Sequence, residues 1–191
     1  MIARAVQIFF LLGLIASVCG ETKPLETGEI YRLDFTDVDG NRISTAGGHV
    51  CIVIVTTRED QEKARALGDR VPEKYIGQAE CRFVTIINFQ KKIRSPFRPL
   101  TNVLVRRHLN QEARRIQPRY DKAHLARNPR NDLVAVPDFD GSAVAQLGID
   151  PLSNEFAAFL FDGKGRLVRL WSGVPAPAEL AAALAAAKPG G

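Results

Sequence analysis

Apolar and polar positions alternate through EIYRLDFTDVDGNRIST, residues 29–45, and the alternation breaks at Asp39-Gly40, a dipeptide favoured in tight turns. The pattern predicts an N-terminal hairpin. HVCIVIVTT, residues 49–57, is instead a continuous β-branched run, which suits a strand covered on both faces. REDQEKARAL follows with good helix formers until Gly68 stops it, and CRFVTIINF repeats the buried-strand pattern. Residues 50–89 therefore read as strand, helix, strand, and such a crossover joins two parallel strands through a right-handed connection. Further on, DLVAVPD ends a strand, GSAVAQLGI makes a short helix, and EFAAFLFDGKGRLVRLWSG forms a hairpin turning at Gly163 to Gly165. A last, alanine-rich helix begins near Pro177, where proline suits the first turn. The fold class is α/β.

The first twenty residues, MIARAVQIFFLLGLIASVCG, have a basic start at Arg4, an apolar run from Ile8 to Val18 and small residues before Glu21. That is the composition of a secretory signal peptide. Ala16, Ser17 and Val18 before Cys19 fit the usual lipoprotein pattern poorly. Cleavage near Gly20 leaves residues 21–191, the size of one domain, exported to a periplasm or secreted. No later run approaches the roughly 20 apolar residues a membrane helix needs.

Charge is concentrated in one place. Residues 91–130 hold twelve Lys and Arg against Glu112 and Asp121, whereas the rest of the exported chain is net acidic. Within that segment Val105, Leu109, Ala113 and Ile116 recur at three- and four-residue spacing, predicting an amphipathic helix over 101–117. Arg106, Arg107, Arg114 and Arg115 then lie largely off the apolar stripe and are the candidate anion-binding residues. A solvated basic surface is the plain reading of such a face. The sharper one is a contact with an acidic protein surface or anionic lipid. Sparse aromatics argue against a nucleic-acid platform.

Other motifs fail on inspection. Asp37 to Gly40 and Asp138 to Gly141 both read D-x-D-G, but the position that closes a calcium loop holds Gly48 in one and Ile149 in the other. Turns explain both. His49, His108 and His124 are too scattered for a metal site, and no P-loop, nucleophile elbow or H-E-x-x-H is present, so no metal or cofactor is assigned.

The ordered set LDFTDVDGNRIS, VPDFDGSAVAQLGI and FLFDGKGRLVRLWSG resembles the thioredoxin-like superfamily in its peroxiredoxin and exported thiol-oxidoreductase branches, over nearly the whole of residues 21–191. The resemblance implies a central mixed sheet flanked by helices, with the N-terminal hairpin and residues 91–130 as a basic helical insertion. It also implies a reactive cysteine where CIVIV runs into the following helix. A helix N-terminus favours a thiolate there through unpaired N–H groups and a partial positive charge. This chain carries Thr57 and Asp60 instead, a spacing that reads as a capping-box variant with Thr57 as N-cap. The cis-proline of such oxidoreductases falls at Phe156. Both halves of the redox apparatus are replaced, a double loss shared with the exported YtfJ-like proteins, which residues 155–180 also resemble.

In such a sheet Cys51 and Cys81 begin neighbouring parallel strands, whose spacing of about 4.8 Å is within disulfide range. A structural bridge, a pair of buried free thiols and a reactive sulfur are the three readings. They separate two functions: a redox-inactive binding or assembly module, and an atypical thiol antioxidant using Cys51 or Cys81.

Overall fold

The strand built from the β-branched run, β3 (Val50–Thr56), is buried along its whole length and is the centre of the molecule. The structure is a computed structural model and describes residues 23–93 and 95–188, so the expected leader over 1–20, with Cys19, lies outside the described residues. Before β3 come β1 (Asp34–Thr36) and β2 (Arg42–Ser44), paired antiparallel as the expected hairpin. After it come α1 (Gln61–Arg70), β4 (Cys81–Asn88), α2 (Arg98–Lys122) and β5 (Leu133–Asp138). The chain finishes with α3 (Ser142–Gln146), the hairpin β6 (Ala157–Phe161) and β7 (Leu167–Trp171), and α4 (Pro177–Ala187).

Five strands form one mixed sheet in the order β5-β4-β3-β6-β7. β3, β4 and β5 run parallel, and β6 and β7 antiparallel to their neighbours. Because side chains alternate across a strand, β3 feeds two separate cores. Cys51, Val53 and Val55 join Val84, Ile86, Phe159, Phe161 and Val144 on the face covered by α3 and the N-terminal hairpin. Val50, Ile52 and Ile54 join Leu67, Tyr120, Leu180 and Leu184 on the face covered by α1, α2 and α4.

The basic segment expected to be inserted has an architectural task, since it connects β4 to β5 and its helix packs on β5. α2 is longer than the 101–117 that the spacing predicts. Pro99 sits in its first turn, where the missing N–H costs nothing, and the exposed Pro118 is tolerated inside it.

A strap from the N-terminal region pairs with the start of the far edge. Gly28 N donates to Leu167 O at 2.8 Å, Leu167 N to Glu29 O at 2.9 Å, and Tyr31 N to Gly165 O at 2.8 Å, with Ile30 bridging Arg166. At the opposite edge Val38 N donates to Ala135 O of β5 at 2.8 Å. The strap leaves no room at the β6–β7 turn. Gly165 has φ +84°, and a Cβ there would lie 2.4 Å from the Tyr31 carbonyl oxygen. Gly165→Ala is expected to cost about 2–3 kcal/mol through the left-handed backbone and this clash. A urea unfolding midpoint equal to wild type would refute that account.

Candidate functional site

The junction from β3 into α1 is where a reactive sulfur was expected on resemblance, and it holds none. The capping reading needs correction. α1 begins at Gln61 with Asp60 as its N-cap residue, and no side chain caps it. Asp60 turns its carboxylate to Lys63 Nζ at 2.9 Å instead. Thr57 lies three residues before the cap, is 2 % exposed, and its hydroxyl makes no hydrogen bond. A two-residue turn intervenes, so the T-x-x-D spacing fits a cap in sequence but not in space. Glu59 is held below the usual carboxylate range chiefly by its own backbone N–H.

Phe156 stands where the resemblance places the proline. The register Val55↔Ala157 sets it beside the end of β3, and it is buried in the α1–α4 core. Continued by one step, that register sets the Phe156 backbone opposite Thr56, next to Thr57. Asn88, which the sequence reading passed over as strand, completes this end of the sheet. Its Nδ2 donates to Pro151 O and Ser153 O, both at 3.1 Å, and its Oδ1 accepts from Gln90 N at 2.7 Å. A buried amide thereby fixes the loop that leads to Phe156. The signal that could have found it was a lone Asn at the end of an apolar run.

Of the three readings of the cysteine pair, the structure shows buried free thiols and not the bridge: Cys51 and Cys81 are both buried and unpaired. The strands are neighbours, but the register is Val50↔Cys81 and Cys51↔Arg82. That offset of one residue sends Cys51 into one core and Cys81 into the other. Side chains on opposite faces of a sheet cannot bridge without backbone movement. Burial pushes each thiol up to about 12, with the neighbouring sulfur adding to the rise at Cys51 and Lys188 partly opposing it at Cys81. Both also lie at the end of β3 and β4 away from the junction, about 20 Å along the strand.

The four candidate cations of α2 divide. Arg106 is engaged by Asp39, its Nε donating to Oδ1 at 3.1 Å, and it also donates to the Val38 carbonyl. Burial works to raise Asp39, yet hydrogen bonds from Arg130 and Arg106 hold its carboxyl low. Arg115 donates to Glu112 at 2.7 Å and to Asp69 at 3.0 Å. Arg107 and Arg114 are exposed and form no ion pair with any described residue. The expected single basic face is therefore narrower, because acidic residues distant in sequence take up its flanks.

Glu112 is the hub of that network. It accepts from Arg65 at 2.5 Å and from Arg115, so α1 and α2 are joined through it. Burial would raise its carboxyl, but the two guanidinium hydrogen bonds hold it below its ordinary 4.5. A depressed carboxylate contributes stability above the unfolded pKa and loses it as pH falls through the folded value. Glu112→Gln is expected to cost about 1 kcal/mol at pH 7. The gap from wild type should close as the pH drops below about 4. Urea titrations at both pH values that show a constant gap would contradict this.

Both D-x-D-G segments are turns. Asp37 Oδ1 accepts from Asp39 N and Asn41 N, and Asp138 accepts from Gly141 N and Val144 N at the start of α3.

The element order and the mixed sheet flanked by helices define a protein of thioredoxin-like fold. Solved structures share it. The exposed lipoprotein thioredoxin of Streptococcus pneumoniae is similar with a TM-score of 0.52 at 14% identity, over 82% of this chain and 99% of that one. A putative protein disulfide isomerase of Bacteroides thetaiotaomicron gives 0.51 at 12% identity, over 85% and 88%. A peroxiredoxin-like protein of Aquifex aeolicus gives 0.50 at 13% identity, over 86% and 89%. At such identities the likeness is one of fold. No protein-family model matches the sequence, and no curated protein matches it.

Proposed function

We propose that this chain is an exported module, a single thioredoxin-like domain over residues 21–191, that binds a partner and does not exchange thiols. The observation that carries the reading is the position of the sulfurs. Thiol–disulfide exchange needs a thiolate with access to its target. Here the helix terminus that would create one holds Asp60, and the two thiols lie far away, on opposite faces, in apolar surroundings. The shared loss of cysteine and proline supports a place near the YtfJ-like exported proteins. Purified wild-type protein is expected to show no insulin reduction and no peroxide consumption above buffer. Turnover that Cys51→Ser or Cys81→Ser abolishes would overturn the reading and establish an atypical thiol antioxidant. Export itself is tested by N-terminal sequencing of the processed protein, expected to start near Glu21.

A specific observation favours anionic lipid over an acidic protein as what meets α2. Phe97, Leu100, Val103 and Leu104 are all more than half exposed at the start of the helix. At 3.6 residues per turn the three helical ones share the outer side with Arg107 and Arg114. Apolar side chains beside arginines are the makings of an interfacial helix. Among the described residues no helix is long and apolar enough to cross a membrane, so contact would be with the surface. Flotation with phosphatidylglycerol vesicles should show binding that weakens with salt and with Leu100→Asp; its absence removes this contact.

A further inference from the structure

Beneath the Arg65–Glu112–Arg115–Asp69 chain lies a half-open cavity of about 200 Å³. Its floor is Ile54 of β3, Phe83, Thr85 and Ile87 of β4 and Ala135 of β5, and its walls include Ala64 of α1 and Leu109 and Ile116 of α2. β4 has strands on both sides, and Val84 and Ile86 on its other face are fully buried. Phe83, Thr85 and Ile87 nevertheless stay partly exposed. The face beneath α1 and α2 is underfilled.

The cause is the way the two helices meet. Their contact is made by guanidiniums reaching across. Arg65 and Arg115 pair with carboxylates on the opposite helix, and Arg119 of α2 donates to Gly68 O at 3.2 Å and Val71 O at 2.8 Å at the end of α1. Long side chains with charged tips hold the helices apart where interdigitated aliphatic residues would draw them together.

The space suits an apolar guest better than water, which needs two to four polar partners. The lining is mainly apolar, and several of the polar groups nearby are already used. Tyr120 Oη donates to Asp132 at 2.8 Å, the Thr56 hydroxyl donates to Thr57 O, and Arg65 and Arg115 are paired. A dry apolar cavity of about 150 Å³ takes benzene, so this one has room for an alkyl chain. Its mouth carries Arg65, Arg115 and Arg119 against Glu112 and Asp69, and Arg119, bonded to carbonyls and 4.0 Å from Asp69, is the guanidinium least neutralised by a carboxylate.

We propose that this cavity binds a single-chain amphiphile, an alkyl chain ending in one carboxylate. The chain lies along the β4 floor and the carboxylate meets Arg119 at the mouth. The inference rests on the binding-module reading, and the two fail separately, since ligand binding reports on the groove and thiol turnover on the cysteines.

The test is a titration of the ¹⁵N-labelled exported chain with sodium decanoate below its micellar concentration, followed by amide shifts. Saturable shifts are expected at Ala64, Thr85, Ile87 and Glu112. Ala64→Leu and Thr85→Leu fill the space, and each should weaken decanoate at least about tenfold, or about 1.4 kcal/mol, with the melting temperature unchanged or raised. Arg119→Gln should weaken decanoate but not 1-decanol. No saturable shift, shifts confined to residues 97–104, or unchanged affinity in both filled variants would overturn the site. Equal affinity for decanol and decanoate would overturn the carboxylate.

Discussion

Iodoacetamide should react with Cys51 and Cys81 of the native protein about a thousandfold more slowly at pH 8 than with an unperturbed thiol, because only the thiolate is nucleophilic. The ordinary cysteine value of 9.0 leaves about a tenth of a thiol ionised at pH 8, and about 12 leaves roughly one part in ten thousand. Burial of the sulfurs slows attack further. The informative reading is intact mass after alkylation of material purified from an oxidising compartment. Native protein should gain no adduct. Denatured protein should gain two, with or without reductant, because no bridge exists. Two adducts only after reduction would mean that the register of β3 on β4 is wrong. Rapid native labelling would make the antioxidant hypothesis the one to pursue. The same thiols set an alkaline limit. The unfolded chain releases their protons near pH 9 and the folded one does not, so stability should fall as pH rises from about 9 toward 12.

Tyr120→Ala should destabilise the protein by about 3–5 kcal/mol, the range for truncating a buried aromatic. For a chain of this size that is a fall in melting temperature on the order of 10 °C. Tyr120 is 2 % exposed and packs the C-terminal half of α2 into the core under α1 and α4. Leu125 donates its backbone N–H to the Tyr120 carbonyl at 2.9 Å, a main-chain bond that both substitutions leave in place. Tyr120→Phe isolates the hydroxyl. It removes one hydrogen bond to a carboxylate that Arg127 also holds, and should cost about 1–2 kcal/mol. Similar losses for the two variants would show that the ring contributes little and that α2 is held mainly by its ion pairs.

How far the sequence reveals this molecule depends on the range of the interaction that decides each feature. CIVIVTT and CRFVTIINF announce buried strands because composition alone specifies a strand covered on both faces. The three- and four-residue spacing of Val105, Leu109 and Ala113 announces α2 for the same local reason, while its ends escape because prolines at 99 and 118 are tolerated where their missing N–H groups cost little. Register is another matter. Whether Cys81 faces Val50 or Cys51 is a one-residue choice set by packing on both faces, and strand adjacency cannot make it. The Arg115–Asp69 contact spans 46 residues, so a helix that looked strongly basic proved to be partly neutralised from α1. That no cysteine stands between β3 and α1 was legible because the absence of a residue type needs no geometry. The cavity was not, since it depends on how far arginine side chains hold two helices apart.

The strap at Gly28 to Tyr31 and the single bond from Val38 to Ala135 restrict how other macromolecules can recognise this protein. A sheet with a bare margin invites a peptide to join as an extra strand, reading backbone before side chains. Here the start of β7 and the middle of β5 are occupied by the chain's own N-terminal region. A visitor seeking main-chain pairing at Leu167 or Ala135 must first peel that region away. At those two points shape and charge, not the backbone, are left for a partner to read.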